Sequence, residues 1–538
     1  FPPRAVHGNS SPGGAPFCAF NANINNQIQS PNLTSPPSSG ILSRRKSLRR
    51  FRETDKRPKN GIAMRVSAEM KKHLVARCGK IFFALKGMPN YDAEGKHMKL
   101  VYNTNDKPPI RKNLVYAFQQ VLAIMAATLL VPMLVNLKSG TTYMSQPAAL
   151  CGAGFGTLFY LLVTRRKSPV FLGSSFAFIE PLVGAVAFGY LGVFLGAIFA
   201  GLVYAVIALI IKKTGSGWVN KLLPPVVIGP TVALIGLSLC GSAVNNLNNT
   251  ASGSYSLVSI LVGLFAFFVT VWASVKGSKS MQMIPFIIGI LSAYAVGLVL
   301  TFIGNSTGCA ALQIINLSAF DGIGLIHVPE FTFAGMFREG ASQFKGISSV
   351  LNIFMLFAPV AFVTLAEHIA DHKNLSSIIE RDLITDPGLD RTLIGDGVGS
   401  IIGSFFGGCP NTTYGESVGC VAITGNASVS TIFITAVYCI ILSFFDPFVA
   451  FVNSIPTCIV GGVCIALYGF IAVSGLKMVQ TVDLGDHRNL FVVAAILVCG
   501  IGGLELNLGP VTISAIATAL IVGILVNVLF NRRTAEEK

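Results

Sequence analysis

Residues 410–416 read PNTTYGE and lie between two apolar stretches, GSIIGSFFGGC and SVGCVAITG. Pro410 removes a backbone donor and ends a preceding helix, while Asn411 or Thr412 can cap a new one. Non-helical backbone at membrane depth is tolerated only where it lines a cavity or is buried in protein. The stretch therefore predicts a broken membrane helix that restarts inside the protein and presents Glu416 there.

Composition places this stretch in a membrane protein. Of the 538 residues, 52% are hydrophobic and 12% are charged, and the mean hydropathy is +0.65; a soluble domain has about 25% charged residues. No basic stripe with interleaved aromatic residues occurs, so we expect no nucleic-acid partner. The 11 cysteines are scattered without metal-ligand spacing, and we expect no metal and no cofactor. The fold class is an all-α polytopic membrane protein in a lipid bilayer.

Hydrophobic segments of membrane-spanning length recur along the chain. We interpret them as fourteen spans, at about 114–136, 146–164, 172–188, 190–211, 222–241, 255–275, 283–303, 348–370, 391–408, 411–424, 428–445, 450–474, 489–506 and 510–530. The third and tenth are short and polar for membrane spans. Residues 306–347 form an extracytoplasmic connecting segment in this interpretation.

Loop charges give the orientation. Basic residues follow even-numbered spans: Arg165, Arg166, Lys167, Lys212, Lys213, Lys276, Lys279, His372, Lys373, Arg381, Arg391, Lys477, Arg488, Arg532 and Arg533. Because cytoplasmic loops carry an excess of Lys and Arg, both termini are predicted to be cytoplasmic. We expect the membrane to be a cell (inner) membrane.

A faint internal repeat divides the spans into seven plus seven. Pro224 lies five residues before Gly229, and Pro456 lies five residues before Gly461. A direct repeat of an odd number of spans must invert in the membrane, and inverted repeats with interrupted helices are typical of secondary transporters. The two repeats would cover about 108–305 and 348–531.

The N-terminal residues 1–97 differ from the rest, with 17 Lys and Arg against 5 Asp and Glu. We expect a disordered basic extension. Its acid-free, Ser- and Arg-rich start is typical of an organelle transit peptide, which would place the protein in a plastid or other organelle membrane. Alternatively the extension is non-native and Met98 is the natural start.

Ionisable residues inside membrane spans are candidates for function. Glu367 and Asp371 are four residues apart, which places them on one helical face, and His368 lies between them. Asp371 and His372 could instead simply mark the helix end at the membrane interface. The third span carries FLGSSFAFIEP (171–181), an irregular start that matches PNTTYGE.

Two such half-helices would offer N–H donors to a ligand's carbonyl groups, and the carboxylates would accept from its N–H groups. A flat neutral lactam or nucleobase fits this pattern, whereas Glu367 and Glu416 would repel an inorganic anion.

Four motifs, LGSSFAFI, AEHI, RDLITDPGLDRTLIGDG and PNTTYGE, have the order and spacing found in the uracil permease branch of the nucleobase–ascorbate transporter family. The chain resembles this family over about residues 107–531. The resemblance implies a core domain (about 110–213 and 348–445), a gate domain (about 218–305 and 446–531), and short paired strands in spans 3 and 10. It also implies a homodimer and coupling to protons.

The resemblance assigns residues by position. Glu367 and Glu416 would bind the base's N–H groups, and the main chains of Phe176 and Gly415 its carbonyl groups. The same resemblance puts Tyr414 beside the base and Ala127 in the pocket wall. Proton coupling would use Glu416, Asp371 and His368.

Two positions depart from the family pattern. Asp371 stands where a uracil permease may carry a second His, and Ser417 replaces an Asn that follows the acidic residue in the wider family.

The sequence thus predicts a proton-coupled uracil importer and no enzyme, because no nucleophile–base–orienter set is present. A purine (xanthine or urate) permease of the same fold is the alternative. An anion exchanger of the same architecture would be expected to place a basic residue at the site.

Overall fold

A computed structural model describes residues 100–248, 255–507 and 512–531. The expected N-terminal extension, residues 1–97, lies outside this range. The described chain is a helical polytopic membrane protein, with eight helices long and apolar enough to cross a bilayer and several shorter apolar ones. The predicted fold class is confirmed at this level.

The first half contains an interrupted third span between long helices. Its elements are α1 (Ile110–Ser139), α2 (Gln146–Val163), β1 (Leu172–Ser174), a 3-10 turn (Phe176–Phe178), α3 (Ile179–Val186), α4 (Gly189–Thr214), α5 (Gly217–Leu222), α6 (Pro225–Ser238), α7 (Cys240–Asn248), α8 (Leu257–Lys276), α9 (Lys279–Met283) and α10 (Pro285–Thr307).

The second half follows a segment with little regular structure. That segment contains 3-10 turns (Ala310–Leu312 and Leu317–Phe320) and α11 (Thr332–Glu339). There follow α12 (Ile347–Ile379), a π turn (Ile384–Gly388), α13 (Leu389–Gly407), β2 (Asn411–Thr413), α14 (Gly415–Thr424), α15 (Val429–Ser443), α16 (Asp446–Ser454), α17 (Thr457–Val479), α18 (His487–Ile501), β3 (Leu506–Asn507), β4 (Thr512–Ile513) and α19 (Ala515–Asn531).

Several predicted spans have different bounds in the structure, and two of them differ most. The segment 450–474 is split, because Pro456 is the N-cap of α17 and α16 ends before it. Pro456 has no backbone N–H to donate, which suits the first turn of a helix, where that group would have no partner. The segment 348–370 continues to Ile379, because the helix goes on to bury His372, Leu375 and Ile378.

The predicted strands in the third and tenth spans are confirmed. β1 and β2 pair antiparallel, with Gly173 opposite Thr412. Each strand has three residues, all of them buried. The Ser175 N–H donates to the Pro410 carbonyl (3.1 Å) beyond one end of the pair. The pairing therefore gives main chain that has left a helix the partners that a membrane interior does not offer.

Helices α2 and α13 cross very closely beside this strand pair. A Cβ at Gly152 would lie 2.4 Å from the Gly403 carbonyl oxygen, and one at Gly156 would lie 2.7 Å from that of Gly399. The Asn411 amide donates to the carbonyls of Gly152 (3.3 Å) and Gly399 (3.4 Å). The glycines at this crossing thus let the two backbones approach each other. The backbone carbonyls there can then bind the Asn411 side chain of β2.

Helices α6 and α17 form a second close pair. Pro224 is the N-cap of α6, as Pro456 is of α17, so the repeat seen in the sequence corresponds to equal positions on two helices. A Cβ at Gly475 would lie 2.2 Å from the Ala233 nitrogen.

Replacing Gly152 with Ala should destabilise the protein, because its Cβ would clash with a backbone oxygen that no side-chain movement can relieve. We expect a cost of about 1–3 kcal/mol, typical of overpacking, measured as a lower Tm of the purified protein. Gly469→Ala in α17 is the control, since a Cβ there meets nothing within 4 Å. An equal loss of Tm in both variants would contradict the close crossing.

Candidate functional site

A cavity of about 130 Å³ lies where the two broken spans meet α12. A single water molecule needs about 10–15 Å³ of cavity volume. The cavity is several times larger, so it can hold a small molecule. One wall comes from the strand ends and α12: Ser175, Phe176, Ala177, Glu367, Ala370, Asp371, Thr412, Tyr414, Gly415 and Glu416. The other wall comes from α6 and α17: Val232, Ile235, Phe470, Ile471, Ser474 and Met478.

Three carboxyl groups reach this cavity. Glu367 and Asp371 lie one turn apart on α12, and Glu416 lies in the first turn of α14. The Thr413 hydroxyl donates to Asp371 Oδ2 at 2.9 Å. Among the described residues that line the cavity, none is Lys or Arg. The polar wall thus offers strong acceptors and no cationic donor.

The polar wall also contains two helix N-termini. Tyr414 is the N-cap of α14 and Ser175 precedes the turn Phe176–Phe178, and neither start is capped by a side chain. The first N–H groups of a helix have no partner within it and carry the positive end of the helix dipole. The site therefore combines main-chain donors with carboxylate acceptors.

The prediction that Asn411 or Thr412 caps the new helix is wrong. Both residues are in β2, where pairing with β1 fixes extended backbone, and the helix begins at Gly415. The Asn411 side chain points to the α2–α13 crossing, and the Thr412 hydroxyl donates to Asp396 Oδ2 at 3.4 Å.

Tyr414 connects three elements beside the cavity. Its hydroxyl donates to the Ser174 carbonyl at 2.8 Å, and the Thr128 hydroxyl lies 3.3 Å from it. Ala127, expected in the pocket wall, is buried in α1 and is not among the described residues that line this cavity. Tyr414 does line the cavity, and it contacts Thr128, the residue that follows Ala127 in α1.

His368 faces away from the cavity, because neighbours on a helix point in different directions. Its Nδ1 lies 2.7 Å from Asp396 Oδ2, and its Nε2 lies 3.0 Å from the Thr392 hydroxyl. All three side chains are fully buried. Asp396 was not singled out from the sequence, although it lies in the motif RDLITDPGLDRTLIGDG.

His372 does not mark a helix end, because α12 continues to Ile379, and its side chain is fully buried. Its ring stacks on that of His368 with centroids 4.1 Å apart. Its Nε2 lies 2.8 Å from the Tyr160 hydroxyl, and its Nδ1 lies 2.8 Å from the His368 carbonyl. The α12 face opposite the cavity is therefore a packed polar cluster.

Ser417, which replaces an Asn of the wider family, has a structural role. Its hydroxyl oxygen accepts from Gln120 Nε2 at 2.5 Å and from the Phe171 N–H at 3.1 Å. It thereby ties α14 to α1 and to the residue that precedes β1.

The turn between α12 and α13 contains the first half of the motif RDLITDPGLDRTLIGDG. Asp386 accepts hydrogen bonds from Lys167 (2.5 Å) and from Arg381. The hydrogen bonds from Lys167 and then Arg381 hold the pKa of Asp386 below its usual range. Gly388 follows at φ +100°, a conformation that favours glycine. The motif thus joins the loop after α2 to this turn.

These features, a membrane fold with paired broken spans around a central polar cavity, define a membrane permease. The family model described as "Permease family", for xanthine and uracil permeases, matches residues 111–509. The chain belongs to this family, which confirms the resemblance seen in its motifs.

Curated relatives cover most of the chain. It is 39% identical over 439 residues to a uracil permease of Bacillus caldolyticus, covering 81% of this chain and 96% of that protein. It is 36% identical to the uracil permease of Bacillus subtilis, covering 82% and 97%, and 32% identical to that of Escherichia coli, covering 79% and 93%.

Solved structures share the fold at low identity. The transmembrane domain of a cyanobacterial bicarbonate transporter matches with TM-score 0.51 and 13% identity, covering 78% of this chain and 98% of that one. The murine Solute Carrier 26 family member A9 anion transporter, in its inward-facing state, matches with TM-score 0.53 and 14% identity, covering 80% and 69%.

Asp386→Asn should lower the Tm by a small amount that depends on pH. A carboxyl whose folded pKa is lowered stabilises the fold above its unfolded pKa, and that contribution is lost as the pH falls through the folded pKa. We therefore expect the Tm difference between wild type and variant at neutral pH to vanish as the pH falls below about 4.

The control for this variant is Asp390→Asn, which removes the same charge from a carboxylate that forms no ion pair in the described part of the chain. If both variants showed the same pH dependence of Tm, the Lys167–Asp386–Arg381 contact would not be its cause.

Proposed function

We propose that the chain imports uracil across its membrane by proton symport. The proposal depends most on the cavity, which brings together three carboxyl groups and two helix N-termini with no basic side chain among its described lining residues. The named uracil permeases among its relatives favour the same substrate.

The cavity suits a flat neutral ring with alternating N–H and C=O groups. Glu367 and Glu416 would accept from the N–H groups, and hydrogen bonds to a carboxylate are roughly twice as strong as neutral ones. The main-chain N–H groups at Phe176 and Gly415 would donate to the carbonyl groups. Tyr414 would hold the α14 start in place through its bond to Ser174.

The transport movement would be a displacement of a core domain against a gate domain. We propose fourteen spans in two inverted seven-span repeats, with the core at about 110–213 and 348–445 and the gate at about 218–305 and 446–531. The matching positions of Pro224 and Pro456 support the repeat. By the resemblance, the protein would be a homodimer.

The two cavity walls are consistent with that division. The polar groups come from the core elements, whereas the gate wall from α6 and α17 is apolar except for Ser474. A core domain that carries its ligand past such an apolar wall would break few hydrogen bonds to the gate domain. The energy barrier to this movement would therefore be low.

Contacts between loops are consistent with the proposed topology, in which both termini lie in the cytoplasm at a cell membrane. Lys167 follows the second span and pairs with Asp386 after the eighth. Tyr102, before the first span, bridges to Asn426 between the tenth and eleventh. All of these belong on one side in the proposed topology. If the N-terminus is a transit peptide, the same arrangement would lie in an organelle membrane.

Proton coupling would use Glu416 and Asp371 at the cavity. A Cβ on Gly415 would lie 3.6 Å from Asp371 Oδ1, so this carboxyl is next to the α14 start. His368 would act behind the cavity, through Asp396 and Thr412, rather than by touching the ligand. Coupling requires that proton and base both favour the same conformational state.

Two rival functions share the fold. The solved anion transporters make anion exchange a candidate, but three carboxyl groups without a basic partner in the described cavity lining would repel an anion. A purine (xanthine or urate) permease is the alternative within the family, because a purine carries the same kinds of N–H and C=O groups as uracil.

Glu367→Gln should weaken uracil binding by about 10- to 100-fold, because a hydrogen bond to a charged group contributes about 1.5–3 kcal/mol. Calorimetric titration of the purified protein with uracil measures this directly. The exposed Glu330→Gln is the matched control. Unchanged binding in Glu367→Gln would contradict the assignment.

A competing ligand in the same titration separates the substrate classes. Xanthine should not displace uracil from the wild type at comparable concentration. Displacement by xanthine, with tighter binding than uracil, would favour the purine permease instead.

A further inference from the structure

A second, larger cavity of about 380 Å³ lies away from the proposed substrate site. It is formed by the segment before α1, the end of α2 and the start of α15. In the proposed topology these three elements meet at the cytoplasmic surface of the membrane.

Its apolar side faces outward from the helices. Leu162 is 69% exposed and Phe433 is 46% exposed, and Leu158 and Leu161 lie beside them in the lining. On a membrane protein such outward apolar side chains contact the acyl chains of lipids. In the proposed topology the cavity would therefore open toward the hydrocarbon at one side.

Its polar side carries two basic residues, Lys107 and Arg166. Both are exposed, and neither forms an ion pair within residues 100–248, 255–507 and 512–531. Lys167, the next residue along, does pair, with Asp386. The lining also includes Asp106, whose Oδ2 accepts from the Asn103 N–H at 2.7 Å within its own turn.

The basic residues are held on fixed backbone. Arg166 has a left-handed conformation, φ +57°, and its N–H donates to the Leu161 carbonyl at 2.8 Å. The segment before α1 is bound to the start of α15, since the Val429 N–H donates to the Thr104 carbonyl at 3.1 Å and the Ser428 hydroxyl to that of Asp106 at 2.6 Å.

We propose that this cavity binds an anionic phospholipid of the cytoplasmic leaflet. Lys107 and Arg166 would bind the headgroup phosphate, for which Arg provides a two-pronged donor. Acyl chains would lie along Leu162 and Phe433. Basic pockets between membrane helices on the cytoplasmic side are suited to such headgroups. A bound lipid would bridge α2, α15 and the segment before α1, and so stabilise the fold.

The test is a thermal-unfolding titration of the full chain in detergent with phosphatidylglycerol, phosphatidylcholine or inorganic phosphate. A ligand that binds the folded state raises the Tm with its concentration. We expect phosphatidylglycerol to raise the Tm more than phosphatidylcholine does. The double variant Lys107→Gln/Arg166→Gln should bind it at least about tenfold more weakly.

The matched control is Lys212→Gln/Lys213→Gln at the end of α4, which removes the same charge from exposed residues elsewhere on the proposed cytoplasmic side. A second variant, Leu162→Ser, keeps the charge and should also weaken the effect of phosphatidylglycerol.

Three results would overturn the proposal. These are an unchanged response of the Lys107/Arg166 double variant, an equal loss in the Lys212/Lys213 control, or an equal rise of Tm with inorganic phosphate alone. If the double variant had a low Tm even in phosphatidylcholine, Leu162→Ser would decide, and a full response of that variant would reject the site.

Discussion

Main chain that leaves a helix inside a membrane must find partners for its N–H and C=O groups, because the bilayer offers none. In this chain Leu172–Ser174 and Asn411–Thr413 find those partners in each other. Their pairing places the start of the Phe176–Phe178 turn and the start of α14 at one cavity. Both the main-chain donors and the position of Glu416 follow from it.

Side chains around the strand pair hold it in place. The Asn411 amide bonds to backbone carbonyls at the α2–α13 crossing, which glycines make close enough. Ser417 ties the other end to Gln120 on α1. A site built on such fixed elements keeps its geometry when one domain moves against another, as an importer of this architecture would require.

Much of the site was readable from local sequence. PNTTYGE contains a helix-breaking proline and a carboxylate in an apolar span, and the spacing of Glu367 and Asp371 puts them on one helical face. The strand pairing came from the resemblance rather than from the residues, because its partners are about 240 positions apart and three-residue strands leave no periodic pattern.

Other features depended on tertiary contacts. The prediction that Asn411 caps the helix is wrong, since pairing with β1 overrides the local preference of this residue for a helix start. The partner of His368 is Asp396, 28 residues further along, which no local pattern around His368 indicates. The break at Pro456 was missed, because apolar residues on both sides of the proline make 450–474 look like one continuous span.

Uptake of labelled uracil into proteoliposomes that contain the full chain, under an imposed pH gradient that is acidic outside, tests the central claim most directly. Proton symport predicts that uracil accumulates above its external concentration and that a protonophore abolishes this accumulation. Uptake that stops at equal concentrations whatever the gradient, or no uptake of uracil, would contradict it.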